Sequence, residues 1–252
     1  MCRYSIIEDD VYLKYGDWLA RNWKNKTFYE CNKIAVRETG DRINACLDTN
    51  CRYLLSSLYS IYPKDDYTLD ALKALLAILN SNFATYYIRK VAFDLTEGAF
   101  TKVRTNQLAR LPLPDGIISN GELIDRFTAY TDNMLVLNEE LHFKRNSFLR
   151  RLKDNFEGIK ITGALSTFDH LEFADFLKEL KKQKITLKLI QQDEWEEYFN
   201  NYRSVCRQLS EQIAETDKEI DLRVYKLYGL TYDEVLIVDA DFGVSREEYE
   251  YM

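Results

Sequence analysis

The chain has 252 residues, 46% hydrophobic and 13% aromatic, with nine Gly and three Pro. This is the composition of an ordered, helix-favouring protein long enough to bury a core, and it excludes disordered, low-complexity and fibrous classes. A formal charge of -7 excludes indiscriminate coating of nucleic acid, which needs a basic protein, but the acidity lies in the second half and leaves room for a local basic face in the first.

Five cysteines (Cys2, Cys31, Cys46, Cys51, Cys206) show no paired spacing and follow no secretory signal, so reduced thiols and a cytoplasmic location are expected. Cys46 and Cys51 are the nearest approach to a metal pair, and one such pair does not make a four-ligand site. No run of about 18 apolar residues suggests a membrane span.

Residues 11–28 are aromatic and of mixed charge, without a helical or alternating period, and lead toward a sheet. Residues 33–37 (KIAVR) read as a strand that stops at the turn Thr39-Gly40-Asp41, with a second strand over 42–47, which together make a hairpin. A third strand is expected within 53–62, closed by Pro63. The spacing of Leu72, Leu75, Leu76, Leu79, Phe83 and Tyr87 predicts one buried helix over 69–91, followed by an extended 100–104 and the prolines Pro112 and Pro114.

The second half reads as helical. Leu123, Phe127, Tyr130, Met134, Leu137 and Leu141 step alternately by four and three, extended by Phe148, Leu152 and Phe156. A second seam runs through Val205, Leu209, Ile213, Ile220, Val224 and Leu227 to Gly229, so two long helices are expected to pair antiparallel as a coiled coil. Between them, about 164–200, lies a small helical insert. Thr231 to Glu234 matches a capping box, predicting a short helix over 232–238 and a loose acidic tail beyond it. The fold class is therefore α+β: a mixed α/β domain over 1–116, then a helical domain over 117–252.

The catalytic patterns sought are missing from the sequence. There is no glycine-rich cofactor loop, no Asn or Asp followed by Pro-Pro and an aromatic to grip a flipped base, and no phosphate-binding loop. Asp175, Glu179 and Lys181 hold nuclease residue types, but Glu179 and Lys181 lie about 200° apart around a helix, which favours a solvated face. His142 and His170 read as structural. No metal and no cofactor is expected in this chain.

DNA contact asks for cations and amides on rigidly held loops. The candidates are Lys24 and Lys26 in the lead segment, Lys33, Arg37, Thr39 and Arg42 around the hairpin, and Lys102, Arg104 and Asn106 after the helix. Residues 85–110 carry five cations against two anions.

Residues 33–41 (KIAVRETGD), 74–89 (ALLAILNSNFATYYIR) and 108–114 (LARLPLP), in that order, resemble the C-terminal target-recognition domain of TaqI-like N6-adenine DNA methyltransferases and of fused, type IIG-like restriction-modification enzymes. Residues 219–235 (EIDLRVYKLYGLTYDEV) resemble the helix that closes many such fused enzymes. The resemblance implies a noncatalytic specificity module that docks duplex DNA and positions it for a methyltransferase or nuclease part outside this chain, in the same polypeptide or a separate subunit. S-adenosylmethionine and Mg would belong to that other part. Asn80, inside the motif, is expected to brace the helix end rather than touch a base. The competing reading is a helical protein-interaction module that docks a partner chain without contacting DNA.

Overall fold

Lys33–Arg37 (β1) is the central strand of a three-stranded antiparallel sheet, between Ala45–Asp48 (β2) and Leu58–Ile61 (β3), in the order β2-β1-β3. The computed structural model describes residues 1–6, 12, 14, 16–19, 26–64, 67–92, 102–117 and 119–252, excepting the side chains of 91 and 92. Much of the aromatic lead, Lys24 included, and residues 100 and 101 of the expected extended segment lie outside the described residues.

Ile34, Ala35 and Val36 are all fully buried, as a strand covered on both faces requires. Ile34 stands opposite Leu47 on one side and Ile61 on the other. The second strand begins at Ala45 rather than Arg42, because the Ile43 N–H turns to Thr85 Oγ1 at 3.4 Å instead of joining a ladder. The third begins at Leu58 rather than Tyr53. A turn closed by the Leu58 N–H on the Leu55 carbonyl, at 2.9 Å, takes up the residues before it.

The expected single helix is two. Leu69–Asn80 (α1) ends at Ser81, whose backbone is extended, and Asn82–Ala92 (α2) follows. Ser81 serves both helices: its hydroxyl donates to the Ile78 carbonyl at 2.7 Å and accepts the Ala84 N–H at 3.1 Å, so a good N-cap residue interrupts an apolar stripe that runs on unbroken. Asn80, fully buried beside the break, acts as a strand partner for β2. Its side chain accepts from the Ala45 N–H and donates to the Ala45 carbonyl, both at 3.0 Å, and so closes the sheet edge.

Thr105–Leu108 (α3) precedes two long helices, Gly121–Asn155 (α4) and Leu189–Leu227 (α7). Between these come Gly163–Ser166 (α5), a short 3-10 turn at Phe168–His170, and Phe173–Lys182 (α6). Tyr232–Val238 (α8) starts with the capping box read from the sequence, Thr231 and Glu234 each bonding the other's backbone. The stretch after it is not a loose tail. Ser245 and Glu248 form another capping box for Arg246–Tyr251 (α9), and Tyr249 is buried with its hydroxyl on the Leu230 carbonyl at 2.8 Å.

The chain packs as two compact units, Met1–Met134 with Thr216–Met252, and Leu135–Glu215. In the first, the sheet and α1 form the core. Tyr130 and Arg223 meet at 3.4 Å, as do Asn133 and Thr216 at 3.2 Å, so the ends of α4 and α7 run antiparallel there. Gly229 holds φ +66°, and the Leu230 N–H returns to the Tyr225 carbonyl at 3.0 Å, the left-handed close of α7 that glycine permits without strain.

In the second unit the helices are again antiparallel, Phe148 lying 5.9 Å from Tyr202 and Phe156 5.2 Å from Trp195. Its core is aromatic: Phe148, Phe168, Phe176 and Phe199 are all fully buried. Asp169, also buried, is held by the Arg145 guanidinium at 2.9 and 2.6 Å, so its charge is paired where desolvation alone would make it costly. Val205, placed on the seam by spacing, is 38% exposed, and Cys206 takes the core position instead.

Candidate nucleic-acid interface

The β1–β2 turn and the segment before α3 lie far apart in sequence, and the fold sets them side by side. Thr39 pairs with Lys102 as an antiparallel bridge, and the Val103 N–H donates to the Glu38 carbonyl at 2.8 Å. The Lys102 ammonium stands 3.6 Å from Glu38 Oε1 with more than half of its side chain exposed. Arg104 follows, exposed, and its backbone N–H donates to Gln107 Oε1 at 2.8 Å at the start of α3, on which Asn106 is exposed. Arg37, Thr39, Lys102, Arg104 and Asn106 thus share one neighbourhood.

Space at the turn favours glycine. A Cβ on Gly40 would lie 3.1 Å from the Arg42 carbonyl oxygen and 3.2 Å from Asn44 Nδ2. The Asn44 amide itself donates to that carbonyl at 3.2 Å, and the Arg37 N–H donates to the Asn44 carbonyl at 2.9 Å. Arg89 on α2 bonds the Asp41 carbonyl. The turn is therefore tied on one side to residues 102–103 and on the other to α2, which suits a loop that must present side chains without the entropy cost of ordering them first.

Two candidates from the sequence face the protein instead. Lys33 is fully buried: its ammonium sits 2.7 Å from Asp48 Oδ2 and donates to the Tyr29 carbonyl at 2.7 Å and the Cys31 carbonyl at 3.4 Å. It cannot reach a groove, and its role is to neutralise Asp48, which stands opposite it in the ladder. Burial works against the Asp48 charge, but Lys33 together with the Arg52 N–H and guanidinium holds that carboxyl below the usual carboxylate range. Arg42 turns Nη2 to the Asn80 carbonyl at 3.3 Å and to Asn82 Oδ1 at 3.2 Å, and burial lowers its pKa. It anchors the turn. Lys26 is exposed on a short 3-10 turn, Lys26–Phe28, and Lys24 lies outside the described residues.

Three residues escaped the sequence reading. Tyr59, opposite Val36 across the β1–β3 ladder, has its phenol raised by burial and by the neighbouring Glu38 carboxylate, with Arg104 acting the other way. It therefore belongs to the same neighbourhood, and only the strand register reveals it. Arg89 carried a signal, since it ends the quoted 74–89 motif. Asn82 lies within the same motif, but nothing local to it marks it as a partner of the turn.

Among the described residues no group of three or more His, Cys, Asp or Glu is placed to hold a metal ion. Glu179 bonds Thr162 at 3.2 Å and pairs with Lys182, and Asp175 pairs with Lys178 at 2.8 Å. His142 bonds Asn146 at 2.8 Å and His170 lies 3.7 Å from Asp169. None of the helices described is long and apolar enough to cross a membrane.

Residues 1–113 match the family model of the TaqI-like C-terminal specificity domain, and residues 121–224 match a domain of unknown function, DUF8810. No curated protein and no solved structure matches the chain.

Proposed function

From the match of residues 1–113 to the TaqI-like specificity domain, we propose that the chain is a noncatalytic DNA sequence-specificity module of a restriction-modification enzyme of the type IIG-like class. It binds duplex DNA through its first unit and positions it for a methyltransferase or nuclease part outside this chain, which would hold S-adenosylmethionine and Mg. The observation that carries this reading is the bridge between Thr39 and Lys102, which gathers Arg37, Thr39, Lys102, Arg104 and Asn106 around one rigidly tied turn. Arg suits base reading because its planar fork can hold guanine bidentately, while Lys102 suits phosphate.

Binding of a selected duplex by Arg37→Ala and Arg104→Ala tests the reading. Each should weaken binding by about 1–3 kcal/mol and relax preference at one position if it reads a base. Uniform loss on all duplexes would make both phosphate contacts, and no loss would remove them from the interface.

The helical unit supports a second contact of a different kind. Val136 and Phe143, at heptad spacing on α4, are 60% and 64% exposed, which favours a protein partner there, such as the catalytic part.

A further inference from the structure

Asn82 is bonded from three directions. Its backbone N–H, at the start of α2, donates to Asp221 Oδ1 on α7 at 2.7 Å. Its side-chain amide donates to Asp239 Oδ2, just past α8, at 3.4 Å, and the same carboxylate oxygen accepts from the Tyr225 hydroxyl at 3.2 Å. Its side-chain oxygen accepts from Arg42, whose backbone closes the β1–β2 turn. Asp221 and Asn80 are buried at the same junction, and Arg3, paired with Asp217 of α7 through both oxygens, ties the first residues of the chain to it as well. All of these groups belong to the first unit.

A path of direct bonds therefore runs from the C-terminal segment to the turn: Asp239 to the Asn82 amide, and Asn82 Oδ1 to the Arg42 guanidinium. The specificity-domain match ends at residue 113, far short of Asp239. From this we infer that residues 217–239 are a working part of the recognition domain, with Asn82 as the positioning residue through which they hold Arg42 and hence the 38–42 turn. The inference rests on the DNA-reading proposal for that turn. Its physical basis is that Arg42 has a flexible stem whose head is fixed only by the acceptors it meets, and Asn82 is in turn fixed by the C-terminal carboxylates. Loss of the link leaves the Arg42 head on the Asn80 carbonyl at 3.3 Å, without its side-chain acceptor, and the turn otherwise held at 102–103 and by Arg89.

The test combines hydrogen exchange on the free full chain with binding of a selected duplex. Asn82→Ala removes both side-chain bonds and keeps the backbone bond to Asp221; Asp239→Ala cuts the path from the other end and guards against misfolding of the first variant. Both should speed amide exchange over residues 38–44 by about tenfold, the worth of one ordinary hydrogen bond, with β1 amides at 34–36 unchanged. Discrimination between the selected duplex and a scrambled one should fall by a similar factor, and the Arg42→Ala/Asn82→Ala double variant should be no worse than Arg42→Ala alone. Unchanged exchange at 38–44 in both folded variants overturns the inference, as does additive loss in the double variant. A wild-type chain that selects no duplex would instead defeat the DNA reading, while the exchange result would still decide whether the C-terminal segment holds the turn.

Discussion

Asp221→Asn should stabilise the protein above neutral pH. Asp221 is 4% exposed, and burial, with the Asp217 carboxylate nearby, pushes its carboxyl up to about 7, against the Asn82 N–H, Arg3 and Arg42, which favour the charge. The ordinary value is 3.8, so ionisation in the folded state is disfavoured by about three pKa units, or about 4 kcal/mol at ~1.4 kcal/mol per unit. Because the folded pKa lies above the unfolded one, this stability is fully present below about pH 4, declines as pH rises, and is lost once the pH passes about 7. Asparagine keeps the oxygen that accepts the Asn82 N–H and never ionises. At pH 8 the variant should therefore melt about 10 °C above wild type, taking ~2–4 °C per kcal/mol for a chain of this size, and the gap should close near pH 4. Circular-dichroism melts of both proteins across that range decide it. A variant equal to or less stable than wild type at pH 8 would refute the reasoning, and would mean that Arg3, Arg42 and the start of α2 outweigh desolvation.

Lys33→Ala should destabilise the fold by about 3 kcal/mol in denaturant titrations, by removing the fully buried cation beside Asp48 and leaving that carboxylate to the partly exposed Arg52. A variant of normal stability that binds DNA weakly would return Lys33 to the interface. Leu209→Ala should cost about 2–5 kcal/mol and Val205→Ala under about 1, since Leu209 is 6% exposed and Val205 38%; equal losses would contradict the assigned face of α7.

Local chemistry made several elements readable without a structure. The capping box of Thr231 and Glu234 marks the start of α8 because both reciprocal bonds are made within one turn. The run Ile34 to Val36 and the turn at Gly40 are likewise local. What depends on partners distant in sequence was not legible. Lys33 reads as a surface cation by default, and only the β1–β2 register puts Asp48 opposite it. The stripe from Leu72 to Tyr87 looks like one helix because Ser81 interrupts the backbone without disturbing the apolar period. The same limit moved the core position on α7 from Val205 to Cys206, since a long seam drifts relative to a strict heptad.

The candidate interface divided along the same line. The residue types needed for DNA contact were visible, but which cations face outward was not, and Asn80, expected to brace its helix end, bonds the β2 strand edge instead. Arg42 and Lys33 have the right chemistry and are held inward by Asn82 and Asp48, whereas Lys102 and Arg104 are brought to the turn by a bridge that no local pattern signals. Tyr59 joins them only through the β3 register.

Selection from a randomised duplex pool at low salt, followed by binding across a salt series, tests the central claim most directly. The account predicts enrichment of one short sequence by the chain alone, with affinity that falls steeply as salt rises and a preference that is relaxed in Arg37→Ala or Arg104→Ala. Binding without enrichment, or no binding at all at low salt, would contradict a specificity module that reads DNA through the turn at residues 38–42.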